Sequence, residues 1–341
     1  MSKVQLHQIW KIFGPNPEHL FKTMDRAASR AELLSQTGHV VAVRDVSLEV
    51  AEGEIFVVMG LSGSGKSTLI RCLSRLIEPT SGQVMINEAD VTAMSAEQLR
   101  KLRRHTVSMV FQRFALFPHR RVIDNVSYGL EVRGMGASER LSKAQEVLEL
   151  VGLQGWESHY PHELSGGMQQ RVGLARALAV DPEIMLCDEP FSALDPLIRR
   201  DMQNELLHLQ KTLHKTIIFI THDFLEALKL GDRVAIMKDG EIVQVGTPEQ
   251  IVAQPVNQYV REFTRDVPRA KVLTAASIMQ PTPPTQNQAF STQNGVSHET
   301  KLEALIPRII TNDGLLPVLD DAGSVIGVLD RRSVLLALAE G

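Results

Sequence analysis

One glycine-rich segment constrains the fold of this chain more than any other feature. Residues 60–67 read Gly-Leu-Ser-Gly-Ser-Gly-Lys-Ser, which fits the pattern G-x-x-x-x-G-K-[ST]. The apolar run 55–59 precedes the segment, and apolar residues at helical spacing follow it at positions 69–76. Strand, loop and helix in this order are the context in which the pattern binds phosphate groups. The segment therefore predicts a nucleotide site in an α/β fold.

The residues of this loop have distinct expected roles. Its glycines let backbone N–H groups close around phosphate oxygens, and the helix N-terminus adds partial positive charge. Lys66 is expected to reach the β- and γ-phosphates, and Ser67 to bind Mg²⁺. The predicted cofactors are therefore ATP and Mg²⁺. The ATP-binding residues predicted in and beside the loop are Gly60, Ser62, Gly63, Ser64, Gly65, Lys66, Ser67 and Thr68.

Three more polar side chains follow apolar, strand-like runs. Asp188 and Glu189 come directly after the run 184–187, and His222 closes the strand-like run 217–221. Parallel strands place their carboxyl ends on the ligand side of a sheet, so these residues are expected near the phosphate loop. Asp188 is predicted to hold the Mg²⁺ shell, and Glu189 to polarise the attacking water. His222 is predicted to hydrogen-bond the γ-phosphate and hold that water in line.

Composition excludes several classes of function. The chain has 341 residues and a formal net charge of −4, which gives no electrostatic case for a nucleic-acid partner. The two cysteines, Cys72 and Cys187, lack the spacing of a zinc site. No apolar signal core begins the chain, and no run approaches the roughly 20 apolar residues needed to cross a bilayer. A cytoplasmic chain that sits on a membrane protein is expected.

Composition and periodicity also predict the domain organisation. Residues 1–38 are interpreted as an N-terminal extension with a charged helix from about Glu18 to Leu34. Strand and helix patterns alternate through residues 39–267, the predicted ATPase domain. Residues 268–299 are interpreted as a linker, because 281–299 are rich in Pro, Thr, Gln, Asn and Ser. Residues 300–341 recover periodicity and are expected to form a small α/β domain.

The segment 164–171, Leu-Ser-Gly-Gly-Met-Gln-Gln-Arg, resembles the signature sequence of ATP-binding cassette (ABC) ATPases. The order of motifs matches that family too: phosphate loop, Gln112, signature, Asp188-Glu189, the segment 192–195, then His222. The resemblance spans residues 40–245. It implies an ABC-type, RecA-like P-loop nucleotide-binding domain with a helical subdomain at about residues 115–175.

The family resemblance implies further roles. Two copies are expected to form a head-to-tail dimer, in which the signature of one subunit caps the ATP of the other. Ser165, Gly166 and Gly167 would then contact the γ-phosphate at a helix start. Gln112 is expected to sense Mg-ATP as a catalytic residue and a metal ligand. Two further residues are expected to contact ATP, namely Gln169 and Asp195.

A narrower resemblance points to a transport system. Segments 60–67, 125–130 and 192–199, together with Ile12-Phe13-Gly14, look like the quaternary-amine importer ATPases, which serve glycine betaine, proline betaine or choline. This implies transmembrane permease subunits, indirectly a substrate-binding protein, and a peripheral location on the cytoplasmic face of the inner membrane. An importer for an amino acid such as histidine or proline is the alternative. A soluble, non-transport ABC ATPase is a third reading, disfavoured by the single cassette without heptads or Cys clusters.

Three details remain expectations. The family stacks adenine on an aromatic residue; Thr37 aligns there, and His39, Val41, Trp10, Phe13 and Phe21 stay open as alternatives. Phe114, Leu116 and Phe117 are predicted to help form a groove for a permease helix. Residues 300–341 resemble a single CBS motif, through 316–320 and 325–330. Asp330 and Ser333 depart from that motif, so the tail is expected to bind no adenine nucleotide tightly and to pair with a second copy.

Overall fold

A computed structural model describes residues 2–112, 114–281, 294–311 and 314–339. The chain divides into two compact units, Met1–Ile242 and Val243–Gly341. The strands, in chain order, are β1 (Ser2–Phe13), β2 (Val40–Ala51), β3 (Ile55–Met59), β4 (Ser81–Ile86), β5 (Ala89–Asp90), β6 (Val107–Val110), β7 (Ile184–Asp188), β8 (Thr216–Thr221), β9 (Arg233–Lys238), β10 (Glu241–Gly246), β11 (Gln280–Pro281), β12 (Val296–Ser297), β13 (Leu316–Leu319) and β14 (Val325–Leu329).

Two helices of the first unit, α6 (Ala137–Leu150) and α7 (Gly166–Ala179), pack against each other and against α5 (Val122–Val132). The helices of the whole chain are α1 (Pro17–Thr23), α2 (Arg30–Thr37), α3 (Lys66–Leu73), α4 (Ala96–His105), α5 (Val122–Val132), α6 (Ala137–Leu150), α7 (Gly166–Ala179), α8 (Pro196–Leu213), α9 (Phe224–Leu230), α10 (Pro248–Ala253), α11 (Gln258–Thr264), α12 (Arg269–Val272), α13 (Ala275–Ile278), α14 (Leu302–Thr311) and α15 (Arg331–Ala339).

The central sheet of the first unit has the strand order β9-β3-β8-β7-β6, and its strands pair in parallel. Every residue of β3, β7 and β8 is buried, as expected for continuous apolar strands covered on both faces. Met59 pairs with Thr221, and Asp188 pairs with Ile220. The strand ends that precede the phosphate loop, Glu189 and His222 therefore lie at one edge of the sheet.

A second, antiparallel sheet corrects the prediction for residues 1–38. Its order is β2-β1-β4-β5, so β1 lies inside the sheet and Leu6, Ile9 and Ile12 are buried. The prediction of one helix over Glu18–Leu34 was wrong, because the segment forms α1 and α2. Ser29 separates them: its hydroxyl accepts a bond from the Glu32 N–H, and the Glu32 carboxylate accepts one from the Ser29 N–H. This capping box starts a new helix.

The second unit is a small α/β unit with a sheet of order β11-β14-β13-β12. It begins at residue 243 rather than near 268, and α12, α13 and β11 lie where a linker was predicted. The buried guanidinium of Arg269 explains the difference, because it donates to the carbonyl oxygens of Val252 (3.1 Å) and Ala337 (3.0 Å). The polar composition of the predicted linker gave no indication of these Arg269 hydrogen bonds. The remaining linker residues, 282–293, lie outside the described part of the chain.

Both cysteines of the chain are buried. Burial raises the pKa of the Cys72 and Cys187 thiols to about 12, so both stay protonated and pack as small apolar groups. Across the described residues, no helix has both the length and the apolar character required of a membrane span.

A buried carboxylate fixes the segment that follows β8. Glu226 of α9 accepts hydrogen bonds from the Thr221 hydroxyl and from the Gln203 amide of α8, the latter at 3.0 Å. Asp223 caps α9 by accepting from the Glu226 N–H at 3.2 Å. Because Thr221 directly precedes His222, this network sets where the histidine leaves the sheet.

The same carboxylate makes stability depend on pH. Burial raises the pKa of Glu226 above its ordinary value, which favours the protonated carboxyl in the folded chain. The wild type is therefore expected to lose stability as pH rises from about 4.5 through the folded pKa, with a maximal slope of about 1.4 kcal/mol per pH unit. Glu226→Gln removes this contribution. Urea unfolding of both proteins from pH 4 to 8 should show the variant gaining stability relative to wild type with rising pH. A constant difference would contradict the prediction.

Candidate functional site

The phosphate loop is shaped by close contact with neighbouring backbone. At Gly60 (φ +156°) a Cβ atom would collide with the carbonyl oxygen of Met237, and at Gly65 (φ +106°) with that of Ala42. Only glycine fits at these two positions, because no side chain can occupy the space. Gly65 is also the N-cap of α3, which begins at Lys66. The loop thus leads directly into a helix N-terminus, as the sequence predicts.

Lys66 is held inside the loop. Its ammonium donates to the carbonyl oxygens of Gly60 (2.8 Å) and Leu61 (3.1 Å), and it lies 3.8 Å from the Glu189 carboxylate. Burial lowers the pKa of Lys66, while the charges of Glu189 and Asp188 oppose that shift. The ammonium is thereby fixed in a desolvated position, where its attraction for phosphate oxygens is stronger than in water.

Ser67 and Asp188 lie together as predicted. The Ser67 hydroxyl donates to one Asp188 oxygen at 2.7 Å, and Arg71 donates to the other at 3.1 Å. A hydroxyl and a carboxylate are hard oxygen donors of the kind that Mg²⁺ prefers, so these two residues fit a magnesium site. Sequence reasoning missed Arg71, whose place four residues after Ser67 on α3 puts both on one face of the helix.

Glu189 is the centre of the polar site. Its carboxylate lies 2.9 Å from Nδ1 of His222 and 3.4 Å from the amide nitrogen of Gln112. Its backbone is left-handed (φ +45°), a conformation that is rare for residues other than glycine and that concentrates at functional sites. The Ser192 hydroxyl donates to the Glu189 carbonyl oxygen at 3.0 Å and supports this turn. Three predicted residues, Lys66, Gln112 and His222, therefore converge on the Glu189 carboxylate.

A cavity of about 400 Å³ opens over the loop. That volume lies within the usual range for small-molecule sites. Two lining residues, Phe13 and Arg30, come from the segment that was predicted to be an extension. The described residues that line the cavity are Phe13, Arg30, Val40, Ala42, Ser62, Gly63, Gly65, Lys66, Ser67, Thr68, Gln112 and Glu189.

Among the candidates for a contact with adenine, the structure distinguishes Phe13. Phe13 is 40% exposed at the cavity, whereas Trp10, His39 and Val41 are buried. Phe21 packs against the cluster around Trp10, and the Thr37 hydroxyl donates to the Leu33 carbonyl oxygen. The Lys11 ammonium lies 4.9 Å from the centroid of the Phe13 ring. An alignment that counts back from β2 arrives at Thr37, because helices α1 and α2 separate Phe13 from β2.

The signature residues form a separate helix start. Ser165 is the N-cap of α7 and accepts from the Met168 N–H, while the Gln169 amide donates to the Leu164 carbonyl oxygen. Gly166 is exposed, and a Cβ at Gly167 would collide with Ile198 of α8. Asp195 caps α8 through the N–H groups of residues 197 and 198. None of these described residues lines the cavity of their own chain.

The segment after Gln112 is tied to the helices around it. The Phe117 N–H donates to the side-chain oxygen of Asn125, and the Asn125 side-chain amide donates to the Phe117 carbonyl oxygen. The Arg176 guanidinium donates to the Phe114 carbonyl oxygen. Phe114, Leu116 and Phe117 are half-buried. A groove of about 260 Å³ beside them is lined by other residues, including Leu76, Phe111, Tyr128 and Val180. The three predicted side chains are therefore not part of its lining.

Comparison with known proteins identifies the family of this chain. A family model described as "ABC transporter" matches residues 43–192. The glycine betaine transport ATP-binding protein OpuAA of Bacillus subtilis (strain 168) is 56% identical over 278 residues, which cover 82% of this chain and 66% of that protein. The trimethylamine N-oxide transport system ATP-binding protein TmoW of Ruegeria pomeroyi is 48% identical over 334 residues, 97% of this chain and 96% of that protein.

A solved structure of an ATP-binding cassette has a similar fold. The dimeric structure of the ATP-binding cassette MJ0796, bound to ADP and Pi in a post-hydrolysis state, matches with a TM-score of 0.61 and 33% identity. The match covers 72% of this chain and 98% of that one. The chain belongs to the ATP-binding proteins of the ABC transporter family, in the group that includes the glycine betaine and trimethylamine N-oxide transport proteins.

Proposed function

We propose that this chain is the ATP-hydrolysing subunit of an ABC importer for a quaternary amine such as glycine betaine, proline betaine or choline. The observation that carries the proposal is the convergence of Lys66, Gln112 and His222 on the Glu189 carboxylate beside the phosphate loop. The names of OpuAA and TmoW support the solute class.

Each residue contributes a separate part of hydrolysis. The loop N–H groups and Lys66 hold the β- and γ-phosphates of ATP, and Ser67, Asp188 and Gln112 would hold Mg²⁺. When bound, Mg²⁺ supplies charge stabilisation to the phosphate oxygens. Glu189 accepts the proton of the attacking water, and His222, in contact with the same carboxylate, orients that water toward the γ-phosphate.

Separate variants test binding and chemistry. Glu189→Gln removes the proton acceptor but keeps the shape, so ATP hydrolysis should fall by about 10²–10⁴-fold while ATP binding persists. Lys66→Ala should weaken nucleotide binding itself. The measurements are phosphate release in the assembled transporter and fluorescence titration with ATP. Glu97→Gln, an exposed acid in the first turn of α4, is the matched control. Wild-type turnover in Glu189→Gln would refute the role of Glu189.

A second copy would complete the site. Ser165 and the N–H groups of Gly166 and Gly167 form an anion-binding helix start that lies outside the cavity of their own chain. In a head-to-tail dimer this helix start faces the γ-phosphate bound by the partner, together with Gln169 and Asp195. The dimeric cassette MJ0796 supports the arrangement.

Phe13 is the proposed stacking residue for the adenine ring. Base–aromatic stacking contributes about 1–3 kcal/mol, so Phe13→Ala should weaken ATP binding by about 5- to 150-fold. Turnover at saturating ATP should change little, because the ring does not contact the reacting phosphate. Phe13→Trp is the matched rescue variant and should restore affinity. An unchanged dissociation constant in Phe13→Ala would exclude the stacking role.

Transport requires partners that this chain does not supply. We expect it to lie peripherally on the cytoplasmic face of the cell membrane, bound to transmembrane permease subunits, with a substrate-binding protein acting indirectly. We propose that a permease helix binds in the groove lined by Phe111 and Tyr128. Leu76, which also lines this groove, is half exposed and offers an apolar contact surface. Gln112 follows Phe111 directly, which connects the groove to the nucleotide site.

Uptake measurements test the importer proposal. A strain lacking this chain should lose ATP-dependent uptake of labelled glycine betaine, proline betaine or choline, and the wild-type chain should restore it. The Glu189→Gln chain should not restore uptake although it co-purifies with the permease. Uptake of histidine or proline lost instead would identify an amino-acid importer. Absence of any permease in the purified complex would contradict a transport function.

Residues 300–341, within the second unit, are proposed to form a CBS-like tail that binds no adenine nucleotide tightly and pairs with the tail of a second copy. Asp330 supports the first part: it accepts from the Ser333 N–H at 2.5 Å, a bond that lowers the pKa of its carboxyl. A carboxylate that is ionised at neutral pH repels phosphate at this position. Four charged residues make the proposed pairing sensitive to salt, namely Asp320, Asp321, Arg331 and Arg332.

A further inference from the structure

The segment between β1 and β2, residues 15–38, is a folded insert with helices α1 and α2. Leu20 and Leu33 pack into a cluster with Trp10, Ile12 and Val41 of the antiparallel sheet. The Arg44 guanidinium of β2 adds hydrogen bonds to the carbonyl oxygens of Ala28 and Arg26. The insert is therefore held to the sheet by apolar packing and by hydrogen bonds, and its side chains have defined positions.

One side chain of the insert enters the nucleotide site. Arg30 is the first residue of α2, is half-buried, and donates at 2.8 Å to the carbonyl oxygen of Gly63 in the phosphate loop. It lines the same cavity as Lys66, Ser67 and Thr68. The insert thus brings a second cationic side chain to the loop that wraps the phosphates.

The chemistry of arginine fits a phosphate better than it fits a carbonyl oxygen alone. A guanidinium has five N–H donors in a planar fork and stays charged at every physiological pH. The bond to Gly63 uses one of those donors. Any neutral donor would satisfy a carbonyl oxygen, whereas a fixed positive charge adds most where it meets an anion. The triphosphate of ATP is the anion expected in this cavity.

We propose that Arg30 is a nucleotide-binding residue that contacts the phosphate chain of ATP while it braces the loop at Gly63. The inference rests on the proposed function, because it needs ATP in the cavity. It gives the insert a role in selecting nucleotides by their charge: affinity for ATP depends on Arg30, whereas affinity for the uncharged nucleoside adenosine does not.

Three single variants of the full chain separate charge from bracing. Arg30→Gln keeps a hydrogen-bond donor for Gly63 but removes the charge, and Arg30→Lys keeps the charge. Arg26→Gln is the matched control, since the Arg26 guanidinium lies over the rings of Trp10 and Phe21. Dissociation constants for ATP, ADP and adenosine are measured by calorimetric titration at low and high salt, with thermal melting to verify folding.

We expect Arg30→Gln to weaken ATP binding by about tenfold or more, as for the loss of a hydrogen bond to a charged group, and to reduce its salt dependence. Arg30→Lys should retain most of the affinity, and Arg26→Gln all of it. Wild-type ATP affinity in Arg30→Gln would overturn the proposal, and so would an equal loss for ATP and adenosine, which would show bracing alone. Failure of the wild-type chain to bind ATP would instead refute the proposed function.

Discussion

The contact between the phosphate loop and two backbone carbonyl groups is the constraint on which the nucleotide site depends. The carbonyl oxygen of Met237 lies where a Cβ atom of residue 60 would be, and that of Ala42 where a Cβ atom of residue 65 would be. The loop backbone therefore packs directly against these two carbonyl groups. The N–H of Gly240 donates to the Ser64 carbonyl oxygen at 2.9 Å and holds the loop from the same side. The positions of the loop N–H groups are thus set by the protein itself, which lowers the cost of ordering them around a phosphate.

Burial of charge is the main energetic cost of this arrangement. Lys66 and Asp188 are 4% and 2% exposed, and ionised groups at such depth destabilise a fold unless they are paired. Lys66 is balanced by two carbonyl oxygens and by Glu189, and Asp188 by Ser67 and Arg71. Apart from Arg71, the side chains that satisfy these charges belong to residues expected to act on phosphate, magnesium and the attacking water. Stability and function therefore draw on the same groups.

Much of the parallel sheet and of the polar site could be predicted, because their signals are local. A continuous apolar run ending in Asp188-Glu189 specifies both a buried strand and the place of its acids. The parts that could not be predicted depend on distant residues. The pairing of β1 with β2 and β4 depends on strands up to some 80 residues away. The alternation of buried and exposed side chains along β1 is also interrupted by a bulge near Gln8. The role of Arg269 depends on two carbonyl groups that no local pattern reveals.

The proposed aromatic contact depends on distant parts of the chain in the same way. Phe13 reaches the cavity because β1 ends beside the loop, and the insert then carries the chain away for two helices before β2 begins. An alignment anchored on β2 counts back into the insert and finds Thr37 instead. Ser29 and Glu32, which form the capping box, were the local signal that the insert has its own structure.

The order of these elements along the chain also determines when the site is completed during synthesis. The antiparallel sheet closes within the first 90 residues, since β1 pairs with β2 and β4. The nucleotide site needs the loop at 60–67, Glu189 and His222, and finally the turn at Gly240 that holds the loop. A ribosome that adds about 5–20 residues per second makes those last residues some ten to thirty seconds after the loop has emerged. For that interval the antiparallel sheet is the part of the nucleotide site that can already be folded, and the loop stands without the strands that fix it.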